Sequence, residues 1–252
     1  MTTRDLDGRV ALVTGGGRGI GRAIAGNLAA RGANLVVAYL RNRRAAEEAC
    51  AAAEEHAVKA LAVRANVGDE RQLDALFDAV AETFGRLDVF VSNAATGVLK
   101  GLDELDARAW AWTMDANARA FFLGCKRAAP LMRGGGNVIA LSSQGSSRVL
   151  PGYMVVGASK AALEAVARYL AVELGPRGIR VNVVSPGVVD TDALRHFPAR
   201  DEMLAAARAK TPLGRLVTPE DVAAAVDFLT SERAGTITGQ TLVVDGGAGL
   251  LA

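Results

Sequence analysis

Cysteine and histidine are nearly absent from this sequence: Cys50, Cys125, His56 and His196 are the whole supply. Both cysteines lie in helix-like stretches without metal-ligand spacing, which argues against a structural zinc site and for free thiols in a reducing compartment. Long apolar runs are missing too. The opening "MTTRDLDGRVALVTG" lacks the extended apolar stretch of a signal peptide, and no later run nears the roughly 18 apolar residues of a membrane span. A soluble, cytoplasmic protein is expected. Neither sign of charge dominates: 29 basic against 27 acidic residues leave +2, with no global pull toward nucleic acid or membrane. The basic residues are nearly all arginine and alanine is abundant, which a GC-rich coding bias explains without any function.

What is present, over 252 residues, is enough chain for one large domain with a substantial core. Short apolar runs alternate with longer helical patterns. The runs are "VALVT" (10–14), "NLVVAY" (34–39), "ALAVRANV" (60–67), "LDVFVSN" (87–93), "NVIALSS" (137–143), "IRVNVVS" (179–185) and "TLVVDGG" (241–247). Between them lie helix candidates such as "RGIGRAIAGNLAARG", "RRAAEEACAAAEEHA" and "DERQLDALFDAVAETFG". Continuous apolar strands separated by helices predict an α/β domain, a doubly wound parallel sheet of about seven strands with helices on both faces. Ligands of such sheets bind beyond the carboxyl ends of the strands. A nucleotide-binding part is expected over about 1–145 and a catalytic and substrate part over about 146–252. Residues 190–217 form an insert between the sixth strand and the helix opening at "TPEDVAAAVDFL"; it is either a substrate-covering lid or a plain connection.

"TGGGRGIG" (Thr14–Gly21) follows the first strand and opens a helix. Glycines there allow a tight turn and let backbone N–H groups approach a pyrophosphate, which nominates Gly15, Gly17, Arg18, Gly19, Ile20 and Gly21. At the end of the second strand, "AYLRNRR" offers Arg41 and no acid. An acid would accept a ribose 2′-hydroxyl; an arginine suits a 2′-phosphate, so NADPH is the expected cofactor.

These residues carry a resemblance. The chain is similar to the short-chain dehydrogenase/reductase family over essentially its full length, through "TGGGRGIG", "ANV" (65–67), "SNAA" (92–95), Asn117 in "MDANARAFF", "SS" (142–143), Lys160 in "GASK", "SPG" (185–187) and "DGG" (245–247). The resemblance implies a Rossmann-type fold, usually a homotetramer, and a catalytic Asn, Ser, Tyr and Lys. Asn117, Ser143 and Lys160 match three of these. It further implies cofactor contacts from Asn66 and Val67 to adenine, from Asn93 and Ala94 at the ribose and strand edge, from Pro186 and Gly187, and from Thr191 to the nicotinamide carboxamide.

Two positions depart from the family pattern. Ala95 replaces the usual glycine, and Val156 stands where the tyrosine belongs, four residues before Lys160. Tyr153 is the alternative, in "YMVVGASK". Its Tyr-x6-Lys spacing marks the enoyl-thioester reductase branch. "SNAATGVLKGLDEL", "WAWTMDANA", "ALRHFPAR" and "GQTLVVDGG" resemble the NADPH-dependent enoyl-acyl-carrier-protein reductase III group. At about 100° per residue both spacings share a helix face, and the longer adds about 4.5 Å along the axis. With Pro151 and Gly152 as a helix entry, Tyr153 is expected in the first turn.

The displacement has a chemical use. A ketone takes hydride on the carbon bearing the oxygen. An enoyl thioester takes it on Cβ, while negative charge develops on the more distant thioester oxygen. A donor one turn earlier reaches that oxygen and stabilises it as an oxyanion hole does. Lys160 would hold the nicotinamide ribose and keep the phenol a good donor. Ser143 either polarises the carbonyl or caps a turn, and Asn117 is expected to hold the helix and a water chain. The expected activity is reduction of the C2–C3 double bond of a trans-2-enoyl thioester on acyl carrier protein or coenzyme A, in lipid metabolism such as fatty acid synthesis. Two alternatives stand beside it: a ketoreductase of a polyketide or 3-oxoacyl thioester, and a catalytically silent nucleotide-binding module.

Overall fold

A computed structural model describes residues 4–190 and 200–250. Seven strands form one parallel sheet: β1 (Val10–Thr14), β2 (Asn34–Tyr39), β3 (Ala60–Arg64), β4 (Val89–Ser92), β5 (Gly136–Leu141), β6 (Ile179–Pro186) and β7 (Thr241–Val244). Their order is β3-β2-β1-β4-β5-β6-β7, so the winding reverses between β1 and β4. Pairing is in register along β1, with Ala11 beside both Leu35 and Val89. The expected doubly wound, Rossmann-type single domain is the architecture found.

Helices α1 (Gly19–Ala30), α2 (Arg43–Glu54) and α8 (Pro219–Thr230) cover one face. The other is covered by α3 (Glu70–Phe84), α5 (Ala120–Ala128) and α6 (Met154–Leu174). Two further helices, α4 (Ala107–Met114) and α7 (Arg200–Ala209), lie outside these layers. Strand alternation feeds both cores: Ala11 and Val13 pack on the α1 side, Val10 and Leu12 on the α3 side. Phe77 of α3 meets Phe90 of β4 edge-on at 5.4 Å, and Gly124 of α5 leaves room for that ring.

Several strands end earlier than their apolar runs. Beyond β3, Asn66 turns the chain, its N–H donating to Gln72 and its side chain accepting from Gly68. Beyond β7, Gly246 and Gly247 take φ of +62° and +86°, which ends the extended backbone. Ser142 and Ser143, expected in β5, lie just beyond the strand: the Ser142 N–H still donates to the Val184 carbonyl of β6, while the two side chains bond Glu164 of α6 and the capping Tyr153.

The expected insert at 190–217 is joined at its base by a bridge between Val189 and Val217 and an ion pair between Asp190 and Arg200 at 2.6 Å. Its helix α7 buries no residue, and positions 191–199, including Thr191, lie outside the described residues. No helix among the described residues is long and apolar enough to cross a membrane.

Candidate active site

The carboxyl ends of β1, β4, β5 and β6 converge beside the point where the winding reverses. At β1, Gly15 and Gly19 take positive φ, +67° and +52°, and bend the chain from strand into α1. The bend is a cradle that side chains would fill. A Cβ on Gly21 would stand 2.3 Å from the Gly15 carbonyl, and one on Gly15 would stand 2.9 Å from Asn93 Nδ2. Arg18, exposed at the start of α1, makes no side-chain cap, whereas Asn42, Asp69, Asp106 and Thr218 cap α2, α3, α4 and α8. The first N–H groups of α1, from Gly19, Ile20 and Gly21, thus remain available to an anion, while Gly17 packs against the start of α2, where a Cβ would stand 3.0 Å from the Ala46 nitrogen.

Asn93 holds this loop: its Nδ2 donates to the Thr14 and Gly15 carbonyls at 2.8 and 3.3 Å. The Thr14 hydroxyl in turn accepts from the N–H groups of Asn93 and Ala94, both at 3.0 Å. Thr14 therefore ties the β1 and β4 ends together, a role its sequence position alone did not announce. Arg41 is exposed at the bend after β2, and Asn66 with Val67 follows β3. Past β6, the Gly187 N–H donates to the Val244 carbonyl at 2.9 Å, next to Pro186. The Asp245 carboxylate accepts from Gly247, Gly249 and Gln144, fastening the "DGG" turn to the loop after β5.

Tyr153 sits at the cap of α6, immediately before its first turn rather than in it, because its ψ of 7° and φ of −102° fall outside the helical range. Its hydroxyl donates to Ser143 Oγ at 3.2 Å. The same Ser143 Oγ accepts from the Gly145 N–H at 3.2 Å, so this serine both caps a turn and contacts the tyrosine. The Tyr153 ring lies where a Cβ on Gly145 would be, 2.5 Å from ring carbons, so that glycine makes its seat.

Lys160 is buried, and its Nζ donates to the Leu141 carbonyl at 2.7 Å. Burial pulls its ammonium down to about 8, with the nearby Glu164 carboxylate opposing the drop. Asn117 occupies a π-helical turn, Asp115–Arg119, between α4 and α5. It accepts from the Thr96 N–H and donates to the Thr96 carbonyl and Ser159 Oγ, at 2.8–2.9 Å. All three bonds hold the loop after β4 against α6.

Val156 is buried, and Gly97 lies so close that a Cβ there would stand 2.2 Å from Val156 Cγ2. The position where the family resemblance implies a tyrosine is therefore packed against the β4 loop. Gly97, Gly145 and Glu164 escaped sequence reasoning, since their roles come from contacts with residues distant in the chain. The two cysteines are buried, and burial pushes the Cys50 thiol up to about 11 and the Cys125 thiol higher still, so neither is a nucleophile at neutral pH.

Known proteins resemble this chain over nearly its whole length. The family pattern described as "Enoyl-(Acyl carrier protein) reductase" matches residues 15–249. A 1-cyclohexenylcarbonyl-CoA reductase of Streptomyces collinus is 43% identical over 97% of this chain and 88% of its own. A 3beta-hydroxysteroid dehydrogenase of Eggerthella lenta is 38% identical over 96% of this chain and 94% of its own. Among solved structures, a short-chain dehydrogenase from Burkholderia cenocepacia in complex with NADP superposes with a TM-score of 0.91, at 38% identity over 96% of this chain and 98% of that one. With a family pattern across nearly its whole length and relatives this similar, the chain belongs to the short-chain dehydrogenase/reductase family of oxidoreductases.

Proposed function

We propose that the protein reduces the C2–C3 double bond of a trans-2-enoyl thioester, with NADPH as reductant. The observation that carries this reading is the pair of adjacent facts at α6: Tyr153 hydrogen-bonded to Ser143, and Val156 buried under Gly97. The phenol of the site is thereby displaced along the helix from the position that serves ketones. The relative named as a cyclohexenylcarbonyl-CoA reductase supports a coenzyme A thioester as the substrate class.

The residues fit the cofactor. The glycine loop from Gly15 to Gly21 and the open start of α1 would receive the pyrophosphate, Arg41 the 2′-phosphate, and Asn66 with Val67 the adenine. Lys160 would hold the nicotinamide ribose, and Pro186 with Gly187 would border the ring. When bound, the reduced nicotinamide supplies the hydride that adds to Cβ. Tyr153 would turn its hydroxyl hydrogen from Ser143 to the thioester oxygen as enolate charge develops there, with Ser143 Oγ remaining beside the phenol oxygen, and a proton from solvent on Cα would complete the reduction. Asn117 acts as a brace between the β4 loop and α6, and the 190–217 insert is read as the cover over the acyl group.

The test is NADPH and NADH oxidation, followed in parallel with crotonyl-type and acetoacetyl-type thioesters of coenzyme A and of acyl carrier protein. Faster turnover of the enoyl substrates with NADPH is expected. Ketone turnover exceeding enoyl turnover would replace this reading with the ketoreductase one, which the hydroxysteroid dehydrogenase relative favours.

A further inference from the structure

Three consecutive residues at and just beyond the end of β5 each hold one residue of α6 or its cap. The Leu141 carbonyl accepts from Lys160, Ser143 Oγ accepts from Tyr153, and between them Ser142 Oγ donates to Glu164 Oε1. The outer two links position the proposed catalytic pair. The middle link has no part in that reaction, yet it is built from a buried serine and a half-buried carboxylate. Glu164 follows Lys160 by four residues, one helical turn, so the two side chains share a face.

Other charges around Lys160 are engaged elsewhere. On the π-helical turn, Arg119 pairs with Asp115 and with Glu70 at the surface. On α4, Asp106 and Arg108 are exposed; on α5, Lys126 is exposed and Arg127 pairs with Asp74 and Asp78. Arg180 of β6 donates to the Leu229, Ser231 and Ile237 carbonyls near the strand's opposite end. The neutral Ser142 and Ser143 follow the Leu141 carbonyl that Lys160 bonds, and Glu164 stands one turn beyond Lys160 on the same helix. Among the described residues, Glu164 is the carboxylate whose charge opposes the burial of Lys160.

We propose that Glu164, anchored by Ser142, is a positioning residue that holds Lys160 in its cationic form beside the cofactor cleft. This rests on the reading of Lys160 as the residue that holds the cofactor ribose. An unanchored glutamate on a half-exposed helix face would turn toward water, where its field on the lysine is screened. The serine removes that freedom. A buried ammonium is otherwise driven toward its neutral form, which would leave the site without its positive charge near neutral pH.

Glu164→Gln separates charge from shape, because the amide still accepts from Ser142. The experiment is a pH titration of the apo protein labelled with 13C at lysine Cε. Lys59, Lys100, Lys126 and Lys210 are the other lysines, and the Lys160 signal is identified by its loss in Lys160→Ala. Glu164→Gln is expected to move the Lys160 midpoint toward acid by about one pH unit. Ser142→Ala should move it less, and Glu164→Asp should return it part of the way. NADPH affinity, measured by titration across the same pH range, should weaken at a correspondingly lower pH. A Lys160 midpoint unmoved in Glu164→Gln overturns the inference, whatever happens to the unfolding temperature. A midpoint that moves while NADPH affinity ignores it overturns the ribose-holding reading of Lys160, and with it the role of Glu164 at the cofactor.

Discussion

Tyr153 caps the helix that carries Lys160, the two answer to different atoms at and just beyond the end of β5, and their replacements should fail differently. Tyr153→Phe removes a hydroxyl whose described partner is Ser143. Its ring can keep the seat beside Gly145, so NADPH binding should stay near normal. The chemical step should slow by roughly 10²–10³-fold, as for the loss of one oxyanion donor. Lys160→Ala should slow the step and also weaken NADPH, since it removes both a cation and a contact. Single-turnover NADPH oxidation with cofactor titration distinguishes the two. Wild-type rates in Tyr153→Phe would show that the phenol is a bystander. Restoring tyrosine at position 156 in that background should not recover enoyl reduction, because that side chain lies packed against the β4 loop. At this scale Tyr153 and Lys160 were nominated by their spacing along one helical stretch, and Ser143 by the family resemblance. Gly145 and Glu164 stayed hidden because each acts across a gap that only the folded chain closes.

Strands were legible because a parallel strand buried on both faces must be apolar throughout, and "VALVT" and "NLVVAY" coincide with β1 and β2. Their ends were less so. A strand stops where its backbone finds another partner, as the Asn93 N–H does at the Thr14 hydroxyl. Such partners come from other elements and leave no mark on the local pattern. The loop after β4 shows the same principle in packing. Gly97 rests on Val156 of α6 and near Thr113 of α4, so Gly97→Ala forces one element to retreat. Overpacking of this kind costs about 1–3 kcal/mol. Val156→Ala should relieve much of it, giving a favourable coupling between the two substitutions in a thermal or denaturant unfolding cycle. Strictly additive losses would show that the loop yields freely and that the tyrosine position is not packed against it.

Across the whole molecule, several large apolar side chains stand exposed on the described surface. On α6, the face away from the sheet presents Tyr169 and Val172 at 74% and 78% exposure, one turn apart. Phe122 on α5 and Trp110 and Trp112 on α4 are also exposed. The helix that brings Tyr153 and Lys160 to β5 thus carries a second apolar stripe, and α4 and α5 show aromatic rings of their own. Large exposed apolar patches are uncommon on monomers, and burying them between copies gains about 25 cal/mol per Å². Association of identical chains is the expected outcome, with a tetramer implied by the family resemblance. Light scattering at micromolar concentration should return about four times the 26.1 kDa of one chain. Replacing both Tyr169 and Val172 with arginine should lower that mass, since like charges would then face each other across a symmetric contact. The bonds from Leu141 and Ser143 to α6 lie within one chain, so the dissociated variant should still bind NADPH. A wild-type protein that scatters as a monomer would refute the association and leave the outer stripe of α6 without a purpose.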